Sequence, residues 1–158
     1  MKKLVPLGLL LALSGCQSIP KAPPAPETIR YETGPCFGVC PVYTITVSSD
    51  GIASFEGKQN TQIIGRRSFV IRADEYEAFK AALAPWRPNG EAMLVPGKPE
   101  CMPEATDMPS VDVRWSKEEG SDHLFVYFGC NMDANQVMFD ALADAPMALP
   151  LNAFVGQR

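Results

Sequence analysis

The chain has 158 residues, 46% hydrophobic and 20% charged, with 14 Lys and Arg against 18 Asp and Glu for a formal charge of −4. That acidic balance, without a basic stretch interleaved with aromatics, argues against nucleic acid as a partner. No G-x-S-x-G, H-E-x-x-H, Walker-type glycine loop or dinucleotide fingerprint occurs. The sole histidine, His123, has Ser110 and Ser121 near it in sequence, neither on an elbow. The composition weighs against an enzyme and requires no cofactor.

The first fifteen residues read as a leader. Lys2 and Lys3 form a positive start, and Leu4 to Leu13 form an apolar core. At about ten residues that core is too short for a bilayer span, which takes roughly 20. Leu13-Ser14-Gly15-Cys16 resembles the lipobox of bacterial lipoproteins. The resemblance implies that Cys16 becomes the first residue after cleavage and carries palmitate-type acyl chains, and two or more chains make a durable anchor. Gln17, in place of an aspartate, implies sorting to the outer membrane with the domain facing the periplasm. Residues 16–27 then read as a tether, in which Pro20, Pro23, Pro24 and Pro26 favour extended chain. Without Lys2 and Lys3, 12 basic residues face 18 acidic ones, a charge near −6.

Residues 28–158 are enough for one domain with its own core. TIRYE at 28–32 predicts a short strand with Ile29 and Tyr31 on one face. VYTITVSS alternates, placing Tyr43, Ile45 and Val47 together. Asp50-Gly51 is a hairpin signal, and IASFE is its return strand. Gly57 and KQNTQ predict a turn, with strands at 62–64 and 68–71. Asp74 and Glu77 have capping-box spacing for a helix whose stripe is Tyr76, Phe79, Ala82 and Leu83, and Pro85 ends it.

Residues 87–108 carry six prolines and glycines without periodicity and read as a long loop. Val111, Val113 and Trp115 alternate in the next strand. HLFVYFG, apolar on both faces, reads as a central one. A second helix opens past Cys130, with Asp133 and Gln136 at cap spacing. Its predicted stripe is Ala134, Val137, Met138, Ala141, Leu142 and Ala145, stopped by Pro146. The order predicts an α+β fold, an antiparallel sheet of about six short strands with two helices packed on one face, braced by cysteines.

GPCFGVCPVYTI, residues 34–45, holds the first two of four cysteines beyond Cys16: Cys36, Cys40, Cys101 and Cys130. An even count in an oxidising compartment reads first as a disulfide framework with three possible pairings. Joining Cys101 to Cys130 closes near 30 residues and is worth roughly 3.5 kcal/mol. Joining Cys36 to Cys40 closes a handful and is worth roughly 2 kcal/mol. The crossed pairings stay open.

Other chemistries compete. A thioredoxin-like pair needs C-x-x-C at a helix start, whereas here the spacing is one longer and Pro41 and a strand follow. CFGVCP resembles the C-x-x-x-C-P signature of Sco-type copper chaperones, matched by Cys36, Cys40 and Pro41. That resemblance implies a copper site completed by His123, and Met93, Met102 and Met108 are further soft donors near the loop. The helix that follows the motif in that family is missing, as are its βαβ units. A zinc site lacks the close cysteine knuckles it needs.

A wider resemblance rests on C-x-G-x-C-P-x-Y from Cys36 to Tyr43, then Asp50-Gly51, Gly57, Gly65-Arg66, Cys101, Thr106-Asp107-x-Pro109 and Gly129-Cys130. This run, over residues 29–144, is similar to an uncharacterised bacterial family, a domain of unknown function whose members are often secreted or lipid-anchored. The resemblance implies a fold unit whose cysteines belong together, and no activity.

Asp107, two before Pro109, reads as a turn residue bonded to backbone amides, or alternatively as a ligand-facing acid. Arg66 and Arg67 after Gly65 read as a solvated turn or an anion contact, and an enzyme built on Asp107 and the arginines would need a pocket joining them. The expected role is a non-enzymatic envelope binding or structural module whose partner is an envelope protein or the cell wall. Its search surfaces are the 34–41 turn, the 87–108 loop and an unpaired sheet edge. The alternative is a copper-handling or thiol–disulfide protein using Cys36 and Cys40.

Overall fold

A computed structural model describes residues 25–156. The leader, the lipobox with Cys16 and the tether up to residue 24 lie outside the described residues. The elements are β1 (Thr28–Thr33), β2 (Val42–Ser48), β3 (Ile52–Gln59), β4 (Gly65–Val70), α1 (Ala73–Leu83), β5 (Glu91–Leu94), β6 (Ser110–Lys117), β7 (Gly120–Tyr127), α2 (Met132–Asp144) and the short α3 (Asn152–Val155). The strands form one sheet in the order β4-β3-β2-β1-β6-β7-β5. Every pairing is antiparallel except β5 with β7. The fold is α+β, as the alternating pattern predicts. Among the described residues no helix is long and apolar enough to cross a membrane.

Strand alternation sends every second side chain to one face. That face holds Ile29, Tyr31, Tyr43, Ile45, Phe55 and Trp115, all buried. Tyr76, Phe79 and Leu83 of α1 and Phe139 and Leu142 of α2 cover it. The Tyr31 ring meets Phe79 edge-on at 6.1 Å, and its hydroxyl donates to the Leu142 carbonyl at 2.9 Å. A buried phenol needs such a partner.

The opposite face is open and carries a ladder of alternating charge. Lys58 meets Glu32 at 2.9 Å, Arg30 also pairs with Glu32, and Arg114 meets Asp112 at 3.1 Å. His123 spans Glu91 and Asp112 at 2.8 and 3.0 Å.

Several expectations are corrected. The 87–108 stretch is not all loop: Glu91 to Leu94 form β5, which gives β7 a partner on each side and leaves it one strand in from the edge. Four residues are too few for periodicity to register, and pairing with β7 supplies the order. Residues 62–64 form no strand, and the strand expected at 68–71 begins earlier, at Gly65, as β4, so Arg66 and Arg67 sit in a strand, not a turn.

Helix α1 is capped at Arg72, two residues before the cap expected at Asp74. The Arg72 N–H donates to the Glu75 carboxylate at 2.8 Å. Helix α2 is capped at Asn131, with φ 37°, and Gln136 instead reaches Asp140 at 2.8 Å. Of its expected stripe, Met138, Ala141, Leu142 and Ala145 are buried or half-buried, and Ala134 and Val137 are not. Phe139 stacks on Phe128 at 4.9 Å, and the larger ring takes the inward position, so Val137 is 75% exposed and Ala134 is exposed.

At the start of β1, Glu27 is held by the body of the domain. Its carboxylate accepts from Lys80 at 2.9 Å, from Arg87 at 2.7 Å and from the Tyr76 hydroxyl at 3.3 Å. Arg87 also bonds Asp122 at 2.7 Å and stands 5.5 Å from the Trp115 ring centre. Burial and the Glu27 charge push the Tyr76 phenol up to about 12. Burial also pushes the Glu27 carboxyl up, but Lys80 and Arg87 outweigh it and hold the group below its ordinary value.

Because the folded value is depressed, this stabilisation is present above about pH 5 and is lost as pH falls through the folded value. Glu27→Gln should cost about 2 kcal/mol at pH 7. In urea melts the gap from wild type should narrow as pH drops from 5 towards 3. A gap independent of pH would contradict the ion-pair account.

Candidate functional site

The site is built where β1 leaves the sheet. The Gly34 N–H donates to the Ser110 carbonyl at 2.8 Å, and a Cβ at this position would collide with the Ser110 hydroxyl. The chain then makes the ring closed by the Cys36–Cys40 disulfide, with Cα atoms 5.8 Å apart. Gly38, with φ 138°, supplies the backbone turn inside it.

The ring is tied on both flanks. Phe37 N–H donates to the Asp107 carbonyl at 2.9 Å, and the Asn60 amide to the Cys40 carbonyl at 3.1 Å. Thr33 closes its base, donating from its hydroxyl to the Pro41 carbonyl at 2.8 Å and accepting from Tyr43 N–H at 3.0 Å. A five-residue ring has no interior for large side chains. Phe37 and Val39 therefore stand 89% and 86% exposed.

Behind the ring lies a groove of about 280 Å³, lined by Tyr31, Thr33, Cys40, Pro41, Pro109 and Phe128 among others. Its far wall is a two-stranded extension of the sheet. There Phe128 N–H donates to the Pro109 carbonyl at 2.9 Å, Ala105 N–H to the Gly129 carbonyl at 2.8 Å, and Glu104 bridges to Cys130. The fully buried Cys101–Cys130 disulfide fastens this extension. Asn131 N–H donates to both the Cys101 and Pro103 carbonyls at 2.8 Å.

The second half of the 87–108 segment and the 34–41 turn, separate in sequence, thus meet at one end of the sheet. Of the three connectivities open to four cysteines, the chain has the uncrossed one.

The other candidates lie elsewhere or do less. The Asp107 carboxylate accepts from the Thr106 hydroxyl at 3.1 Å rather than from backbone amides. The contribution of Asp107 to the ring is its carbonyl, held in place by a left-handed φ of 63°. Arg66 pairs with Glu56 at 3.1 Å on β4, four strands from β6, so it and Asp107 are not brought together. His123 is in the middle of β7, its ring nitrogens engaged by Glu91 and Asp112, and it does not meet the bridged Cys36 and Cys40. Among the described residues no group of three or more His, Cys, Asp or Glu is arranged to hold a metal ion.

Sequence reasoning passed over Phe37 and Val39 because the cysteines around them carried the motif. The available signal was two large apolar residues inside a ring too small to bury them.

These features define a disulfide-braced α+β domain with a one-sided sheet and an apolar loop fixed at one end. The chain belongs to the DUF6438 family, described as a domain of unknown function, whose match runs over residues 27–145. No curated protein matches the chain.

The two bridges differ in access, and thiolate attack requires access. Rising reductant should open Cys36–Cys40 first, with Cys101–Cys130 yielding only on unfolding, counted as two and then four alkylated thiols by intact mass. Cys36→Ser/Cys40→Ser should cost about 2 kcal/mol, and Cys101→Ser/Cys130→Ser about 3.5 kcal/mol or more. The reverse order of opening would contradict the burial difference.

Proposed function

We propose that this protein is an envelope lipoprotein, anchored through Cys16 at the periplasmic face of the outer membrane, whose domain is a non-enzymatic binding module. The Cys36–Cys40 ring and the groove behind it are the docking surface. One observation carries this reading: Phe37 and Val39 are the most exposed large apolar side chains of the described residues, and they stand at the opposite end of β1 from Glu27. Apolar groups held open beside an apolar groove mark a docking surface more often than a solvated one.

The geometry suits tethered display. A six-residue strand separates the two ends by about 20 Å. Residues 17–27, at polyproline II rise, reach about 35 Å. An anchor joined through Glu27 would leave the ring facing away from the membrane.

The alternative, copper handling or thiol–disulfide exchange at Cys36 and Cys40, draws on the partial exposure of that bridge. A copper site of that kind needs a third donor, and His123 is occupied on the open face.

A photo-crosslinking amino acid at position 37 should trap a discrete partner in cells. The same group at position 118, in the turn at the Glu27 end of the sheet, should not. Equal or absent trapping at both positions would sink the docking reading. Metabolic labelling with an alkynyl fatty acid should mark the wild-type chain and fail on Cys16→Ser. Labelling that survives the substitution would remove the anchor at that residue.

A further inference from the structure

The charge around the groove narrows what it can take. Residues 96–108 and 130–133 contain Glu100, Glu104, Asp107 and Asp133 against Lys98, a net charge of −3. Elsewhere Glu27, Glu32, Glu56, Asp112 and Asp122 each pair with a lysine or arginine. Among the described residues, none of the four loop-end acids makes an ion pair. Glu104 accepts only the Gly97 N–H, at 2.9 Å, and Asp107 only the Thr106 hydroxyl.

Two of these residues share a cleft. Glu104 and Asp133 line a second cleft, of about 170 Å³, with Pro103, Ala105, Gly129 and Met132. The two cavities flank one wall. Phe128 lines the apolar groove, and the next residue, Gly129, lines the acidic cleft. Met102, at 56% exposure, and Met132, at 37%, add adaptable apolar surface beside the cleft.

Resting on the docking reading above, we infer that the partner is a protein segment carrying an apolar side chain and a lysine or arginine. The apolar side chain fills the groove behind Phe37 and Val39, and the cation enters the cleft between Glu104 and Asp133. With one strand pair as the wall, the two anchors stand about two to four residues apart on an extended segment. Unpaired carboxylates beside an apolar floor attract such a segment and repel anionic polymers and anionic lipid. The apolar contact supplies the holding energy, and the rim sets partner choice and encounter rate.

The test pans a random peptide library against the full chain in detergent, followed by anisotropy titration of the enriched peptide. The expected pool joins an apolar residue to a lysine or arginine. Phe37→Ser/Val39→Ser should abolish capture. Glu104→Gln/Asp107→Asn/Asp133→Asn should weaken it about tenfold, as should high salt. All five positions are exposed, so these substitutions leave the core intact.

Enrichment of apolar peptides without a cation, lost with Phe37→Ser/Val39→Ser but indifferent to the carboxamide variant, would overturn this inference and leave the docking reading standing. An empty selection, or peptides whose capture survives Phe37→Ser/Val39→Ser, would overturn both.

Discussion

Strand β1 is the constraint on which the rest of the molecule depends. It lies in the middle of the sheet and pairs on one side with β2, its neighbour in sequence, and on the other with β6, far along the chain. The first pairing completes the β1–β4 meander, and the second joins that meander to β6, β7 and β5. Its inward residues, Ile29 and Tyr31, therefore sit where both halves of the core meet. Tyr31 touches Phe79 of α1 and bonds the backbone of α2. A one-residue slip of β1 would turn Ile29 and Tyr31 outward and put Arg30 and Glu32 into the core, so register here is set by the whole hydrophobic face.

The same strand runs from the Glu27 clamp to the Cys36–Cys40 ring. Glu27, clamped by Lys80 and Arg87, fixes its start, and the Cys36–Cys40 ring opens three residues past its end. The two disulfides divide the work at that end. The buried bridge holds the extension that walls the groove, while the small bridge keeps two apolar side chains from folding back. Both cross-links lie outside the seven named strands, whose stability comes from burial on one face.

Legibility followed the length of the pattern. Tyr43, Ile45 and Val47 alternate over a full strand and appear buried together, and Tyr76, Phe79 and Leu83 repeat over a full helix and do the same. Glu91 to Leu94 is too short to carry a period and is ordered only by a parallel partner that is distant in sequence. The pattern of α2 places Met138, Leu142 and Ala145 inward and misses Phe139, whose position is set by its stack on Phe128, a residue outside the helix. The site was half visible. The 34–41 turn and the proline-rich segment were both marked by composition, but their meeting depends on the Phe37 to Asp107 backbone bond, and no local pattern encodes a bond between segments so far apart.

Strand β4 gives Arg66 and Arg67, away from the Cys36–Cys40 ring, a consequence of their own. It forms one margin of the sheet, and such margins recruit strands from neighbouring molecules. Arg66 and Arg67 are exposed there, so two copies meeting margin to margin would bring like charges together. For a molecule confined to a plane and crowded among its own kind, as a lipid anchor would make it, this is a built-in spacing rule. Neighbours so anchored would share the surface at high density without fusing their sheets into a fibre.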